Sequence, residues 1–264
     1  MPLILSDLHL GLSPLEIEQL EPLIQAADEL WLNGDTTETR HPRYRDRARR
    51  LWEHLQERVA RRGIPLVRLA GNHDHHDSLP MHRLLCQDRV LVTHGHAFLP
   101  CIAPWSVWAT EAERRHRACL ADLPEGERHT LHAALRAAAA ASEAAWSDHA
   151  RERRLHAAAM LARPWAVAAV LTTWWRWPGL AEAFVRRHAP QARVVVSGHS
   201  HRRAVHRRGT LAILDTGSFN PPARPAAVWV RPDRVDWIPL DKVRGRYELA
   251  PEQRWSRFSV SRMD

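Results

Sequence analysis

Five short stretches of this chain carry metal-binding or phosphate-type residues: Asp7-x-His9, Gly34-Asp35, Gly71-Asn72-His73-Asp74, His94-Gly95-His96 and Gly198-His199-x-His201. Four of them follow, one residue on, a short apolar run: Pro2 to Leu5, Leu30 to Leu32, Val90 to Val92 and Val194 to Val196. The fifth follows Leu66 to Ala70, apolar apart from Arg68. Runs of this length, bounded by turn residues, predict buried strands. A ligand just past each strand then lies on one edge of a sheet, where ligands bind in open α/β folds.

The spacing between these strands predicts helices. Ser13-Pro14-Leu15-Glu16 has the form of a capping box, and Leu20, Leu23, Ile24 and Ala27 repeat on one face. A second helix is predicted from Pro42 to Arg62, with Tyr44, Ala48, Leu51, Leu55 and Val59 on its stripe and Gly63 at its end. Strand alternating with helix implies parallel pairing and an α/β class. Leu211 to Asp215 and Val228 to Val230 predict further strands, whereas the residues from Gly245 onward show no clear period.

Composition changes after Cys101. From Pro104 to His188 the chain is rich in Ala, Arg, Trp and His, and segments such as Leu131 to Trp146 favour helix. The expected organisation is a core of residues 1–103 and 189–243, a helical insert or cap of residues 104–188, broken at Pro124, Pro164 and Pro178, and a tail of residues 244–264.

A formal charge of +8 rests on arginine, since Lys242 is the sole lysine. Such a balance admits a nucleotide substrate, nucleic acid or an anionic membrane surface, and equally a compositional bias. Cys86, Cys101 and Cys119 lack zinc-ribbon spacing, so a reducing, cytoplasmic setting is expected. Because Met1 to Asp7 pass directly into a strand, no signal peptide is expected, and Trp165 to Trp175 is far short of the ~20 residues that span a bilayer.

Asp7, His9, Asp35, Asn72, His94, His199 and His201 offer carboxylate, amide and imidazole donors with no thiolate. That mixture suits manganese first, with iron, zinc or nickel as alternatives. Seven donors overfill one ion; two ions about 3.5–4 Å apart would fit if one carboxylate, with Asp35 the candidate, bridged them.

These motifs, in this order, resemble the calcineurin-like metallophosphoesterases over residues 1–101 and 190–240. The resemblance implies a four-layer α/β/β/α sandwich and hydrolysis of a phosphomonoester, phosphodiester or pyrophosphate by in-line attack of metal-bridging hydroxide. It implies one metal on Asp7, His9, Asp35 and His201 and a second on Asp35, Asn72, His94 and His199. His73 would stabilise the transition state or protonate the leaving oxygen, oriented by Glu38 or Asp74.

Around this set, His75, His76 and His96 are candidates for substrate contact, and Arg202 or Arg203 for a phosphate clamp. His116, His129, His132, His149 and His156 are expected on solvated helix faces. In the insert, Trp105, Trp108, Trp146 and Trp165 are expected either to pack against the core or to line a slot for an acyl chain or base. Arg114, Arg115, Arg117 and Arg176 could meet a phosphate or anionic lipid there, which allows peripheral contact with the inner membrane surface.

The layout is also similar to that of UDP-2,3-diacylglucosamine hydrolases, whose Gly-His-Thr-His-Arg is close to Gly198 to Arg202. It departs from them at His73, where they usually carry Arg, and at His96, where they carry Asp. A phosphorylated small molecule, nucleotide or lipid is therefore the expected substrate. Rival readings are a lipid-precursor pyrophosphate hydrolase, a cyclic-nucleotide phosphodiesterase, a nuclease and a non-catalytic metal-binding scaffold.

Overall fold

Leucine- and valine-rich runs become strands here because both of their faces are covered, so that no polar alternation is needed. The computed structural model describes residues 1–74, 79–144, 146 and 164–260. These fall into two compact units, Met1–His94 with Gln191–Asp264, and Gly95–Pro190.

In the first unit, β1 (Pro2–Leu5), β2 (Glu29–Asn33) and β3 (Leu66–Leu69) pair in parallel. The links between them carry α1 (Glu21–Ala26) and α2 (Arg45–Arg62). The next strands are β4 (His82–Leu85), β5 (Val90–Thr93), β6 (Val194–Ser197), β7 (Arg203–Arg208) and β8 (Leu211–Thr216). Four more close the chain: β9 (Ala226–Val230), β10 (Arg234–Val243), β11 (Arg246–Leu249) and β12 (Ser256–Ser259). They form a seven-stranded sheet in the order β11-β10-β9-β1-β2-β3, with β12 also on β10, and a five-stranded sheet in the order β4-β5-β6-β8-β7.

Strand period divides the core in two. Leu3 and Leu5 face α1 and α2 with Leu23, Ile24, Leu51, Leu55 and Val59. Ile4, one residue out of phase, joins Val92, Val196, Leu214 and Val228 between the two sheets. The result is a mixed α/β body with two sheets flanked by helices. At the end of α2, Gly63 takes the left-handed conformation (φ 70°) that stops the helix.

Three local expectations give way. Ser13 caps no helix: Leu12 and Ser13 N–H both donate to the His9 carbonyl (3.0 and 2.9 Å), which folds the loop back. The Ser13 hydroxyl then donates to the Leu8 carbonyl (2.6 Å), and the first helical turn starts later, at Ile17–Leu20. The second helix begins at Arg45 and not at Pro42. The stretch after Gly245, without a period of its own, supplies β11 and β12 because β10 offers both a partner edge.

The second unit is helical, with α3 (Ala109–Ala121), α4 (Leu131–Ala144) and α5 (Pro164–His188). Pro178 lies inside α5 and does not break it. The lost backbone bond costs about 3 kcal/mol; Trp177, Ala181, Phe184 and Val185 are buried on either side and hold the helix through it. Phe98 stacks at 5.2 Å from Trp177 and 5.1 Å from Phe184.

His129 and His132 are exposed, and His116 is half-buried. Trp165 stands half out in solvent, whereas Trp105, Trp108 and Trp146 are partly buried. His75, His76, His149 and His156 lie outside the described residues. Among the described residues no helix is long and apolar enough to cross a membrane.

Candidate metal centre

The strand ends deliver the donors. Asp7 follows β1, Asp35 follows β2, Asn72 and His73 follow β3, His94 follows β5, and His199 and His201 follow β6. Asp7, His9, Asp35, His199 and His201 hold a left-handed backbone with φ between 46° and 63°. A non-glycine residue rarely adopts this conformation, and such outliers concentrate at functional sites.

The loops are locked to each other. Asp7 N–H donates to the Gly34 carbonyl (3.1 Å), His9 N–H to the Asp35 carbonyl (3.0 Å), and Gly198 N–H to the His94 carbonyl (2.9 Å). The motif glycines permit this approach. A Cβ on Gly71 would lie 2.2 Å from Asp35 Oδ1, and one on Gly198 would lie 2.1 Å from Asp7 Oδ2.

Two donor triangles result, one of Asp7, His9 and His201 and one of Asp35, His94 and His199; within each, the ligand atoms lie within 4.8 Å of one another. In the first, His201 Nε2 is 3.1 Å from Asp7 Oδ1 and 3.1 Å from His9 Nε2, and His9 Nε2 is 3.8 Å from Asp7 Oδ1. In the second, His94 Nε2 is 3.3 Å from Asp35 Oδ2. Asp35 Oδ2 also lies 3.9 Å from His9 Nε2, so this carboxylate stands between the two sets. Donors at right angles on an ion with bonds of about 2.1 Å are about 3 Å apart, which these spacings fit.

Imidazole orientation is set from behind. His94 Nδ1–H donates to the Asn33 carbonyl (2.9 Å), which leaves Nε2 toward Asp35. One oxygen of buried Glu38 accepts from His9 Nδ1 (2.7 Å) and lies 2.8 Å from His73 Nδ1. His73 Nε2 is 3.9 Å from Asp35 Oδ2, and the His73 backbone N–H donates to Asp35 Oδ1 (2.8 Å). The third close donor group is accordingly His9, Asp35 and His73.

Of the two acids expected to orient His73, Glu38 is the one against it. Asp74 ties its own loop instead, accepting from Gly71 N–H (3.0 Å), Thr36 N–H (3.4 Å) and the Arg68 guanidinium. Asn72 stands beside His73 with its Oδ1 shut off from solvent. His96 opens a single turn in the second unit and is fully buried, whereas Arg202 is exposed.

Electrostatics oppose burial throughout. Burial alone raises the Asp7 carboxyl, but His94, His201 and His9 outweigh it and hold the group far below the usual carboxylate range. Asp35 is held low against burial by His94, His73 and His9, and Glu38 by His73 and His9. Burial depresses His94, yet Asp35 and Asp7 push it up to about 9. His9 and His73 are raised for the same reason. Among the described residues no lysine or arginine pairs with Asp7 or Asp35. Imidazoles that trade a proton for an ion are their counter-charges, and this donor chemistry fits divalent metals.

Sequence reasoning missed the polar layer behind the donors. Ser6 Oγ bonds Asp7 Oδ2 and lies 2.5 Å from Thr216 Oγ1, and Ser218 Oγ donates to the Asp7 carbonyl (3.0 Å). Ser200 Oγ donates to buried Asp215 and accepts from Arg202 N–H (3.0 Å), which braces the His199–His201 loop. Ser6 is the residue between the first apolar run and Asp7, a weak but readable signal; Thr216 and Asp215 gave none.

Two sheets flanked by helices, with Asp/His donors on the strand ends, define a metallophosphoesterase architecture. The chain belongs to the calcineurin-like phosphoesterase family, whose model matches residues 2–203. No curated protein matches it. Among solved structures it is similar to vacuolar protein sorting 29 from Cryptosporidium parvum (14% identity, 98% of both chains covered, TM-score 0.47). It is also similar to a dimetal phosphatase from Danio rerio (12% identity, 98% of this chain and 99% of that one, TM-score 0.45). Likenesses this distant carry no argument about function.

Proposed function

We infer that the chain is a metal-dependent phosphoric ester hydrolase, acting on a phosphomonoester, phosphodiester or pyrophosphate bond of a phosphorylated small molecule. Asp7, His9, Asp35 and His201 would hold one divalent ion and Asp35, Asn72, His94 and His199 a second, with manganese first among the metals that suit oxygen and nitrogen donors. Such a pair would supply Lewis acidity at a phosphoryl oxygen and would lower the pKa of a bound water.

The chain's own residues do the rest. The Glu38 carboxylate, 2.8 Å from His73 Nδ1, favours a proton on that nitrogen, so Nε2 is the atom left to face the substrate. With the ring kept readily protonated by Glu38 and Asp35, Nε2 can donate to the leaving oxygen or meet its charge. At 28% side-chain exposure His73 is reachable from solvent, unlike His94, which is completely buried.

The observation that carries this reading is Asp35 Oδ2 standing within 3.9 Å of His9 Nε2 and 3.3 Å of His94 Nε2, one carboxylate between two donor sets. The test is to strip the protein with chelator, restore manganese, and follow hydrolysis of bis-p-nitrophenyl phosphate alongside metal content by mass spectrometry. Two ions per chain and activity that returns with them are expected. Full activity in stripped protein would overturn the reading.

A further inference from the structure

Asn33 ends β2 on the side that faces the other sheet: Trp31, two residues back, belongs to the core between the sheets, and strand alternation puts Asn33 beside it. It is fully buried, and an amide in an apolar layer is costly unless its polar atoms are bonded. Its Nδ2 donates to the carbonyl of Thr93 (3.0 Å), the last residue of β5, and to that of Val196 (3.3 Å), near the end of β6. Both acceptors are carbonyls, so only the NH2 end of the side chain fits there.

One side chain thus ties the first sheet to two strand ends of the second, just before candidate ligands. His94 follows Thr93, and His199 lies three residues beyond Val196. The Asn33 carbonyl takes His94 Nδ1–H (2.9 Å), and Asp35 stands two residues on. Between Asn33 and Asp35, Gly34 packs so tightly that a Cβ on it would lie 2.5 Å from His94 Cγ. All three members of the Asp35, His94 and His199 triangle are therefore registered by Asn33. The other triangle is held differently: Asp7 and His9 follow β1, and the His201 loop has its own brace in the Ser200–Asp215 bond.

We propose that Asn33 is a positioning residue for one of the two ions. It sets the spacing of the Asp35, His94 and His199 donors without touching an ion, so affinity at that position depends on an amide outside the ligand set. The proposal rests on the two-ion part of the hydrolase reading and is independent of the reaction.

The test is calorimetric titration of chelator-stripped protein with manganese, with bound ions counted by mass spectrometry and the fold checked by circular dichroism. Two sites are expected in the wild type. Asn33→Leu, which keeps a branched side chain but carries no donor, should weaken one site about 10- to 100-fold and the other about twofold or less. Asn33→Ser, which keeps one donor, should show the same selective pattern at smaller size and serves where Asn33→Leu does not fold. Val228→Ala, in the same layer between the sheets, controls for lost packing and should leave both sites unchanged. In a His94→Gln background, Asn33→Leu should add about twofold or less, since the site it positions is already impaired. Equal weakening of both sites, no weakening, the same selective loss in Val228→Ala, or the full further loss in the His94→Gln background would overturn the assignment, as would a wild type that takes up fewer than two ions. Two ions and a selective loss at Asn33 in a protein that hydrolyses no phosphoric ester would leave the positioning role standing and overturn the hydrolase reading.

Discussion

Asp35 and Asp236 are both buried carboxylates in the same unit, and they are answered in opposite ways. Asp236, fully buried on β10, accepts from Arg231 Nε (2.9 Å) and Arg234 Nε (3.2 Å), cations that never give up their charge. Among the described residues the only cationic groups that pair with Asp35 and Asp7 are imidazoles, which lose their charge when a metal takes the proton's place. The first arrangement is closed and structural. The second is a set of acids whose counter-charges are titratable, and that contrast separates site from scaffold better than burial or charge alone.

The comparison predicts that Asp35→Asn and Asp236→Asn fail differently. Asp35→Asn should lose at least one ion per chain by mass spectrometry and about a thousandfold or more in turnover of bis-p-nitrophenyl phosphate. Ordinary metal content and turnover in that variant would break the contrast at its strongest point.

His73 and Glu38 sharpen it within the site. His73→Ala should cut kcat by about 10²- to 10⁴-fold with metal content intact, as expected for a proton donor that is not a required ligand. Glu38→Gln should cut kcat by less, on the order of tenfold to a hundredfold, but should also weaken metal affinity, because the same oxygen holds His9 Nδ1 at 2.7 Å. Metal lost from His73→Ala and kept in Glu38→Gln would reverse the two roles.

Much of this centre was legible in the chain because most donors follow a short apolar run, bounded by turn residues, that reads as a buried strand. Leu30 to Leu32 before Asp35 and Val194 to Val196 before His199 are such runs. What was not legible depends on tertiary pairing. β7, Arg-Ala-Val-His-Arg-Arg, looks like a polar loop until β8 supplies an edge, and β12 needs β10. The choice between Glu38 and Asp74 could not be made from spacing, since the latter adjoins His73 in sequence but points back into its own loop. Pro178 reads as a break from local propensity, and burial on both sides of it overrides that.

On the scaffold side, Asp236→Asn should cost about 3 kcal/mol of stability by denaturant unfolding, toward the lower end for a broken buried pair because Arg231 and Arg234 keep some contact with water. Turnover and metal content at 25 °C should match the wild type. A loss of metal here would mean that the two acids are not independent.

The smallest effect expected is in the pH dependence of metal-stripped protein. His94 is raised from 6.5 to about 9 in the folded chain, so its contribution to stability is complete below pH 6.5 and is lost as pH climbs through about 9. Asp7, Asp35 and Glu38 are lowered, so theirs is complete above the ordinary carboxylate range and lost only in acid. Stripped protein should therefore show a Tm that declines between pH 6.5 and 9, whereas manganese-loaded protein should hold its Tm or gain, because the ion replaces the proton on His94. In His94→Gln the decline in stripped protein should shrink. A stripped protein with a flat Tm across that window would show that the acids around His94 already have a permanent counter-charge, and the distinction from Asp236 would collapse.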